Sequence, residues 1–209
     1  MNIFTIFILL ASVTWCFGQT DTNVIAIGDW SKTVFDLHKY GLRGRLLVYD
    51  DKDTQKATRE ARAYVELQHV ETNGWNIPLE LNFDFSMNFQ TNNSYFEMRD
   101  ENDRPIKSGL IAIDAIMPDA YDIFLPCDST IRIRADFYSI GSDPDYSPKS
   151  QHGLSILGNG GYWVIPQNVT NEFYLSATLI CVASTNTSPK HYNWVGTLNL
   201  PKVTIPSQR

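Results

Sequence analysis

Apolar and polar residues alternate along most of the chain with a period of two, which is the signature of strands that bury one face. In PLELNFDF, Leu79, Leu81, Phe83 and Phe85 share one face, while Glu80, Asn82 and Asp84 share the other. TIRIRADF repeats the pattern, with Ile131, Ile133, Ala135 and Phe137 against outward Arg132 and Arg134. FYLSATLICV lines up Leu175, Ala177, Leu179 and Cys181, and HYNWVGTLNL lines up Tyr192, Trp194, Leu198 and Leu200. Weaker alternation predicts strands over 43–50, 61–70, 94–100 and 110–117, and short ones over 121–125 and 161–165. No long 3.6-residue period competes with this reading.

Turn-forming clusters separate these strands: Thr72-Asn73-Gly74, Glu101-Asn102-Asp103, Pro118-Asp119, Cys127-Asp128-Ser129 and Gly158-Asn159-Gly160-Gly161. The segment 51–61 offers either a short helix or a charged loop, and the loop is the better match. Residues 139–153 form the longest aperiodic stretch, rich in Pro, Ser and Asp. About nine strands joined by short turns, without helical crossovers, predict an all-β fold in which two antiparallel sheets pack face to face as a sandwich. The expected organisation is a signal peptide over 1–18 and a single β-sandwich domain over 19–209.

The signal reading rests on the apolar run from Ile3 to Trp15, followed by Cys16-Phe17-Gly18, with small residues at −3 and −1 of a cut after Gly18. The run is short for a membrane span, which needs about 20 apolar residues. Trp15 stands where a lipoprotein signal wants a small side chain before Cys16. These features predict an exported protein (secreted, periplasmic or cell-surface) with no membrane span after cleavage.

Charge adds one exclusion. Of 209 residues, 17 are Lys or Arg and 23 Asp or Glu, for a net charge of −6. An acidic balance argues against nucleic-acid backbone binding, which depends on clustered cations. After cleavage two cysteines remain, Cys127 and Cys181, in an oxidising compartment. Their strand parity places both on core faces, which predicts a disulfide; such a bridge would contribute roughly 4 kcal/mol on the loop-entropy model. Two separate buried thiols are the alternative. Sequons at Asn92, Asn168 and Asn186 are candidate glycosylation sites, at close to the number expected by chance.

Several of these segments also follow a familiar order. Gly41-Leu42-Arg43-Gly44-Arg45-Leu46 precedes a Val65-Glu66-Leu67 strand; PLELNFDF, FEMRDENDRPI, ATLICVA and NWVGTLNLPKVTI follow. Over about 46–200 this order resembles the immunoglobulin-like sandwich domains of exported bacterial proteins. Its middle is similar to the intracellular-proteinase-inhibitor type, in which a strand ending in Asp leads into a hairpin. The resemblance implies an immunoglobulin-like β-sandwich without catalytic residues, and no inhibitory loop carries over residue by residue.

Catalytic chemistry finds little support. His38, His69, His152 and His191 stand in no zinc-ligand spacing, and no GxSxG elbow occurs. Gly158-Asn159-Gly160-Gly161 is read as a hairpin turn. Calcium is the cofactor to consider, through acidic loops at Asp50-Asp51-Lys52-Asp53, Asp100-Glu101-Asn102-Asp103 or Asp143-Pro144-Asp145. Each loop supplies only part of the six to eight oxygens needed. Asp143 and Asp145 are the best candidates because their loop is long; otherwise no cofactor is expected. Paired carboxylates of a jelly-roll glycan-active enzyme would point from strand middles, but Glu66, Glu80, Asp84 and Asp136 fall mostly on wet faces in this reading. Trp75, Tyr146, Tyr162 and Trp163 lie in or beside loops and form a candidate platform for a protein or glycan at the cell exterior, with His152 a further candidate in the ligand-binding loop, although Trp163 and Trp194 also read as core residues. The expected function is therefore a non-enzymatic binding or structural module acting through its loops, chiefly 139–153. A proteinase inhibitor and a glycan-active jelly roll are the alternatives.

Overall fold

The structure, a computed structural model, describes residues 24–51, 59–70, 77–84, 94–107, 109–110, 120–135, 153–158, 161–166, 171–184 and 190–206. Every regular element among them is a strand. In chain order these are β1 (Val24–Ile27), β2 (Val34–Phe35), β3 (Gly41–Asp51), β4 (Arg59–Val70), β5 (Leu79–Asp84), β6 (Tyr95–Arg99), β7 (Gly109–Leu110), β8 (Ala120–Leu125), β9 (Thr130–Arg134), β10 (Gly153–Gly158), β11 (Gly161–Pro166), β12 (Phe173–Cys181), β13 (Tyr192–Asn193) and β14 (Gly196–Ile205). The expected strands recur with slightly different ends, although of the segment 110–117 only Leu110, in β7, falls among the described strands. The short β1, β2 and β13 and the longer β10 bring the described count above the nine anticipated.

The strands form an eight-stranded sheet and a six-stranded sheet. In the first, β3 and β4 pair along their length from Gly41↔Val70 to Asp51↔Glu60. β1 and β2 share the free edge of β3, and the residues between them continue the ladder: Gly28 N–H donates to Leu46 O and Ser31 N–H to Gly44 O, both at 2.8 Å. In the second sheet, β12 carries β14 on one edge, and β6 and the end of β5 on the other.

The sheets are not purely antiparallel, as the turn pattern had predicted. β10 runs parallel to β4, with Leu154↔Arg59 through Leu157↔Arg62, and β13 runs parallel to β5. The physical reason lies in the edge of β4. β9 covers Tyr64 to Gln68 antiparallel, and β10 returns along Arg59 to Arg62 in the opposite sense. A parallel pair needs a connection of a dozen or more residues, and the chain between β4 and β10, which passes through β5 to β9, far exceeds that length. The hairpin expected at 158–161 is present, since Gly158 pairs with Gly161.

One apolar core lies between the sheets, with Leu42, Leu46, Val65 and Leu67 from the first and Leu81, Phe83, Leu175, Leu179 and Leu198 from the second. This is the arrangement of a β-sandwich. β12 shows the alternation most cleanly, buried at every odd position from Phe173 to Cys181. Close approach of the sheets depends on Gly44: a Cβ there would stand 2.8 Å from Leu200 Cδ2 of β14. Trp194 is fully buried and its ring N–H donates to Tyr40 O at 3.1 Å, joining segments 154 residues apart. Among the described strands β14 lies at an edge of its sheet. Its pairing with β12 slips between Leu175 and Ala177, where Pro201 and Lys202 form a bulge that disfavours further strand addition.

Candidate functional site

The outer face of the first sheet carries the most organised set of polar side chains. On β3 the even positions face the core, so Arg43, Arg45, Leu47 and Tyr49 turn outward. Register places Gln68, Glu66 and Tyr64 of β4 opposite Arg43, Arg45 and Leu47, and Arg132 of β9 opposite Glu66. Three guanidiniums thereby converge on one small area.

Hydrogen bonds fix them. Arg43 Nε donates to Gln68 Oε1 at 2.7 Å, and Arg45 Nε to Glu66 Oε2 at 2.5 Å. Arg132 donates from a terminal nitrogen to Glu66 Oε1 at 3.1 Å. The Glu66 side chain is 9% exposed, against 27% for Arg45 and 36% for Arg132, so a nearly dry carboxylate lies under two partly wet cations. Aromatic rings complete the row. Trp30 lies beneath both Arg43 and Arg45, with guanidinium carbons 5.0 and 4.6 Å from its ring centre. The backbone bonds flanking Trp30, at Gly28 and Ser31, hold it there, aided by a 3.1 Å bond from Gly44 N–H to the Ser31 hydroxyl. Arg132 reaches across the face to the Tyr49 ring at 5.1 Å, and Tyr49 meets Tyr64 edge-on. That crossing passes over the row holding Leu47, which is 1% exposed although it lies outside the core cluster.

This corrects the expectation that the mid-strand acids face water. Glu66 is 6% and Glu80 4% exposed as whole residues. The face assignment of Glu66 holds, but long Arg stems and rings cover the face. Both Glu66 oxygens accept from guanidiniums, so its chemistry is that of a counter-ion and not of a proton-transferring acid. It takes one N–H from each arginine, out of the five donors a guanidinium carries.

A second cluster closes one end of the sandwich. Asp36 Oδ1 accepts from His38 N–H at 3.0 Å and Tyr40 N–H at 2.9 Å, forming a tight turn in which Lys39 takes a positive φ of 67°. The turn presents Tyr40, which stacks on Tyr192 at 4.2 Å, with His38 edge-on to Tyr192 at 5.3 Å. His69 lies beside Tyr40, and His191 against Phe124. Burial, and then the neighbouring Asp36 carboxylate, hold the Tyr192 hydroxyl well above the usual phenol range. His38 and His69 therefore flank an aromatic pin between the first sheet and β13, while His191 packs on Phe124 of β8 within the second sheet. Among the described residues no group of three His, Cys, Asp or Glu side chains could hold a metal ion.

The sequence-predicted residues fare differently. Trp163, a candidate platform residue, sits in β11 at 5% exposure, and its ring N–H donates to Ile106 O at 3.2 Å; it is a core residue, as is Trp194. Trp75, Tyr146, His152, Asp143, Asp145, Asn92, Asn168 and Asn186 lie outside the described residues, as do the signal segment 1–18 and most of 139–153. At the acidic turn, Asp100 Oδ1 accepts from Asn102 N–H and Arg104 N–H while Oδ2 pairs with Arg104. Those bonds, the backbone one from Arg104 foremost, hold the Asp100 carboxyl below its usual range and make it a turn anchor.

The expected Cys127–Cys181 bridge is not formed. Leu79 of β5 pairs with Leu125, two residues before Cys127, while Phe83 pairs with Cys181. The cysteines therefore lie toward opposite ends of β5, on the order of 20 Å apart at about 3.3 Å per residue. A disulfide needs Cα atoms within roughly 7 Å. Parity placed the face of Cys181 but not of Cys127, which is half-buried in the turn after β8, and it carried no information on position along the strand. Burial pushes the Cys181 thiol well above its ordinary range.

Sequence reasoning passed over Arg43, Arg45 and Arg132 as a group. The available signal was two Arg-x-Arg pairs, in GLRGRLL and TIRIR, each on the polar face of a strand. No family model, curated protein or solved structure matches the chain.

Proposed function

We propose that the chain is an exported, non-enzymatic β-sandwich, immunoglobulin-like in build, that binds a partner at the cell exterior. The observation supporting this reading is the Arg45–Glu66–Arg132 triad with Trp30 and Tyr49 laid against its cations. Cations and rings fixed before any partner arrives lose little side-chain freedom on binding. A triad in which the only carboxylate is held by two guanidiniums lacks the second acid that glycoside hydrolysis requires.

The test applies the mature chain, beginning at Gln19, to printed glycans and exterior proteins. In parallel, reducing-sugar release is measured across a polysaccharide panel, and residual activity across a protease panel. Saturable binding without sugar release and without stoichiometric protease inhibition is the expected outcome. Sugar release at catalytic protein concentration would replace this reading with the jelly-roll enzyme.

A further inference from the structure

We infer that the outer face of β13, β5 and β8 holds a binding site for a primary ammonium group, of the kind carried by a lysine side chain or an amino sugar. The site lies on the second sheet and stands apart from the reading above: it would remain if the Arg45–Glu66–Arg132 triad bound nothing.

The two buried mid-strand acids differ in what meets them. Glu66 is 6% exposed and accepts from two guanidiniums. Glu80 is buried more deeply, at 4%, yet among the described residues no hydrogen bond or ion pair reaches its carboxylate. Its backbone is held, since Glu80 O accepts from Trp194 N–H at 3.1 Å. Buried charges are paired or hold a ligand, because leaving water without compensation is costly. Glu66 meets that requirement within the chain; Glu80 calls for a cation from outside it.

Neighbouring side chains build the rest of the site. Leu79 and Leu81 are buried in the core, which turns Glu80 to the outer face. Register places Asn193 of β13 on one side of it and Phe124 of β8 on the other. Both amide atoms of Asn193 are buried without a hydrogen-bond partner, and so is His191 Nδ1. β13 and β8 flank β5 and so stand two strand spacings, about 9.6 Å, apart. The His191 and Phe124 ring centres are nevertheless only 4.7 Å apart. The rings therefore lean toward each other across β5 and roof the row that holds Glu80. Phe124 is still 52% exposed, so the roof lies at the surface, and rotation of its side chains opens the space beneath.

Charge and donor count select the ligand. By strand parity Asp84 of β5 and Asp122 of β8 share the outward positions with Glu80, and no Lys or Arg does so on β5, β8 or β13. Lys190 is exposed and adjoins His191 in the chain, but makes no ion pair with Glu80. This half of the face is acidic and complementary to a cation. Among the described residues no group of three His, Cys, Asp or Glu side chains could hold a metal ion. A primary ammonium carries three N–H donors, for which Glu80, Asn193 Oδ1 and His191 Nδ1 are the acceptors. The Phe124 ring adds an aromatic face of the kind that attracts ammonium groups.

The experiment titrates the ¹⁵N-labelled mature chain with Nα-acetyl-lysine amide, its Nε-acetylated form, glucosamine and N-acetylglucosamine, following the Asn193 side-chain amide by NMR. It compares wild type with Glu80→Gln, Phe124→Leu and, as a control, Glu97→Gln, at a carboxylate of the same sheet already paired with Arg99. At least one amine should bind saturably, its uncharged acetylated form should not, and the tighter of the two amines names the source. Glu80→Gln should weaken binding at least ~10-fold, since charge-assisted hydrogen bonds are the strong ones. Phe124→Leu should weaken it about 3-fold through the lost ring face, and Glu97→Gln should leave it unchanged. Without amine, Glu80→Gln should melt at or above the wild-type temperature, because it removes an uncompensated charge.

Equal affinity of wild type and Glu80→Gln overturns the site, as does the absence of binding by either amine. An acetylated form that binds as tightly as its parent amine overturns the recognition of charge. A Glu80→Gln chain that melts well below wild type would show that the carboxylate is already held within the protein, and overturns the inference whatever the titrations give.

Discussion

The two outer faces of the sandwich are built from the same alternation yet solve different problems. On the second sheet, the outward positions of β12 and β14 include Tyr174, Ser176, Thr178, Ile180, Thr197, Asn199, Lys202 and Thr204, mostly short or singly polar groups. They pair locally: Thr178 donates to Asn199 at 3.1 Å, Tyr174 to Glu172 at 2.7 Å, and on β6 Arg99 to Glu97 at 2.8 Å, all exposed or partly exposed. On the first sheet, long side chains bridge three strands around Glu66; Glu80 of β5 is also buried, at 4% exposure, so the contrast is with the β6–β12–β14 part of the second sheet. Pairs in water contribute little, since solvent serves each partner almost as well. A carboxylate beneath two guanidiniums has no such substitute. An outward strand position is therefore solvated only when its neighbours are short; Arg and aromatic neighbours can make it a second, polar interior.

The largest test of that contrast removes one carboxylate from each face. Glu66→Ala leaves Arg45 and Arg132 crowded without their counter-ion. Breaking a fully buried pair costs 3–5 kcal/mol; with both cations partly wet, a loss of about 2–3 kcal/mol is expected. Glu97→Ala should change stability by less than about 0.5 kcal/mol. Urea unfolding of both variants measures the difference. Equal losses would show that the two faces are energetically alike.

Next in size are the rings. Trp30→Ala removes two cation–π contacts, each worth about 0.5–1 kcal/mol at a partly exposed site, along with ring burial, so a loss of about 1–2 kcal/mol is expected. Lys202 lies 4.3 Å from the Tyr174 ring on the opposite face, where the ammonium is exposed; Lys202→Ala should cost about 0.5 kcal/mol or less. Raising salt should narrow the gap for Lys202 more than for Trp30, because screening acts on exposed charge.

Much of the sandwich was legible in the sequence because burial on one face leaves a period of two. Leu175, Ala177, Leu179 and Cys181 are buried as read, and so are Trp194, Leu198 and Leu200. What alternation could not carry is register along a strand and which strands meet. The Cys127–Cys181 expectation failed on register. The parallel β10 and β13 depend on where the chain returns to an edge, which no local pattern encodes. The four-residue β1 and two-residue β2 are too short to show a period, yet they hold Trp30 in place. The site was half legible: both Arg-x-Arg pairs are visible as outward charges, but their convergence on Glu66 requires the β3–β4–β9 order.

The smallest effect is a titration at Tyr174 on the second face. The Tyr174 hydroxyl donates to Glu172, and that bond, followed by desolvation and the nearby negative charge, raises the phenol above its ordinary value of 10.0. A group whose folded value is raised keeps its proton in the native state after the unfolded chain has begun to lose it. Its contribution is therefore complete below pH 10 and is lost as pH climbs through the folded value. The difference absorbance titration between wild type and Tyr174→Phe should place this phenol above 10.0, and Glu172→Gln should lower it toward 10.0. A Tyr174 titration indifferent to Glu172→Gln would mean that its neighbour is solvent, leaving the second face without even this local pairing and widening its contrast with the first.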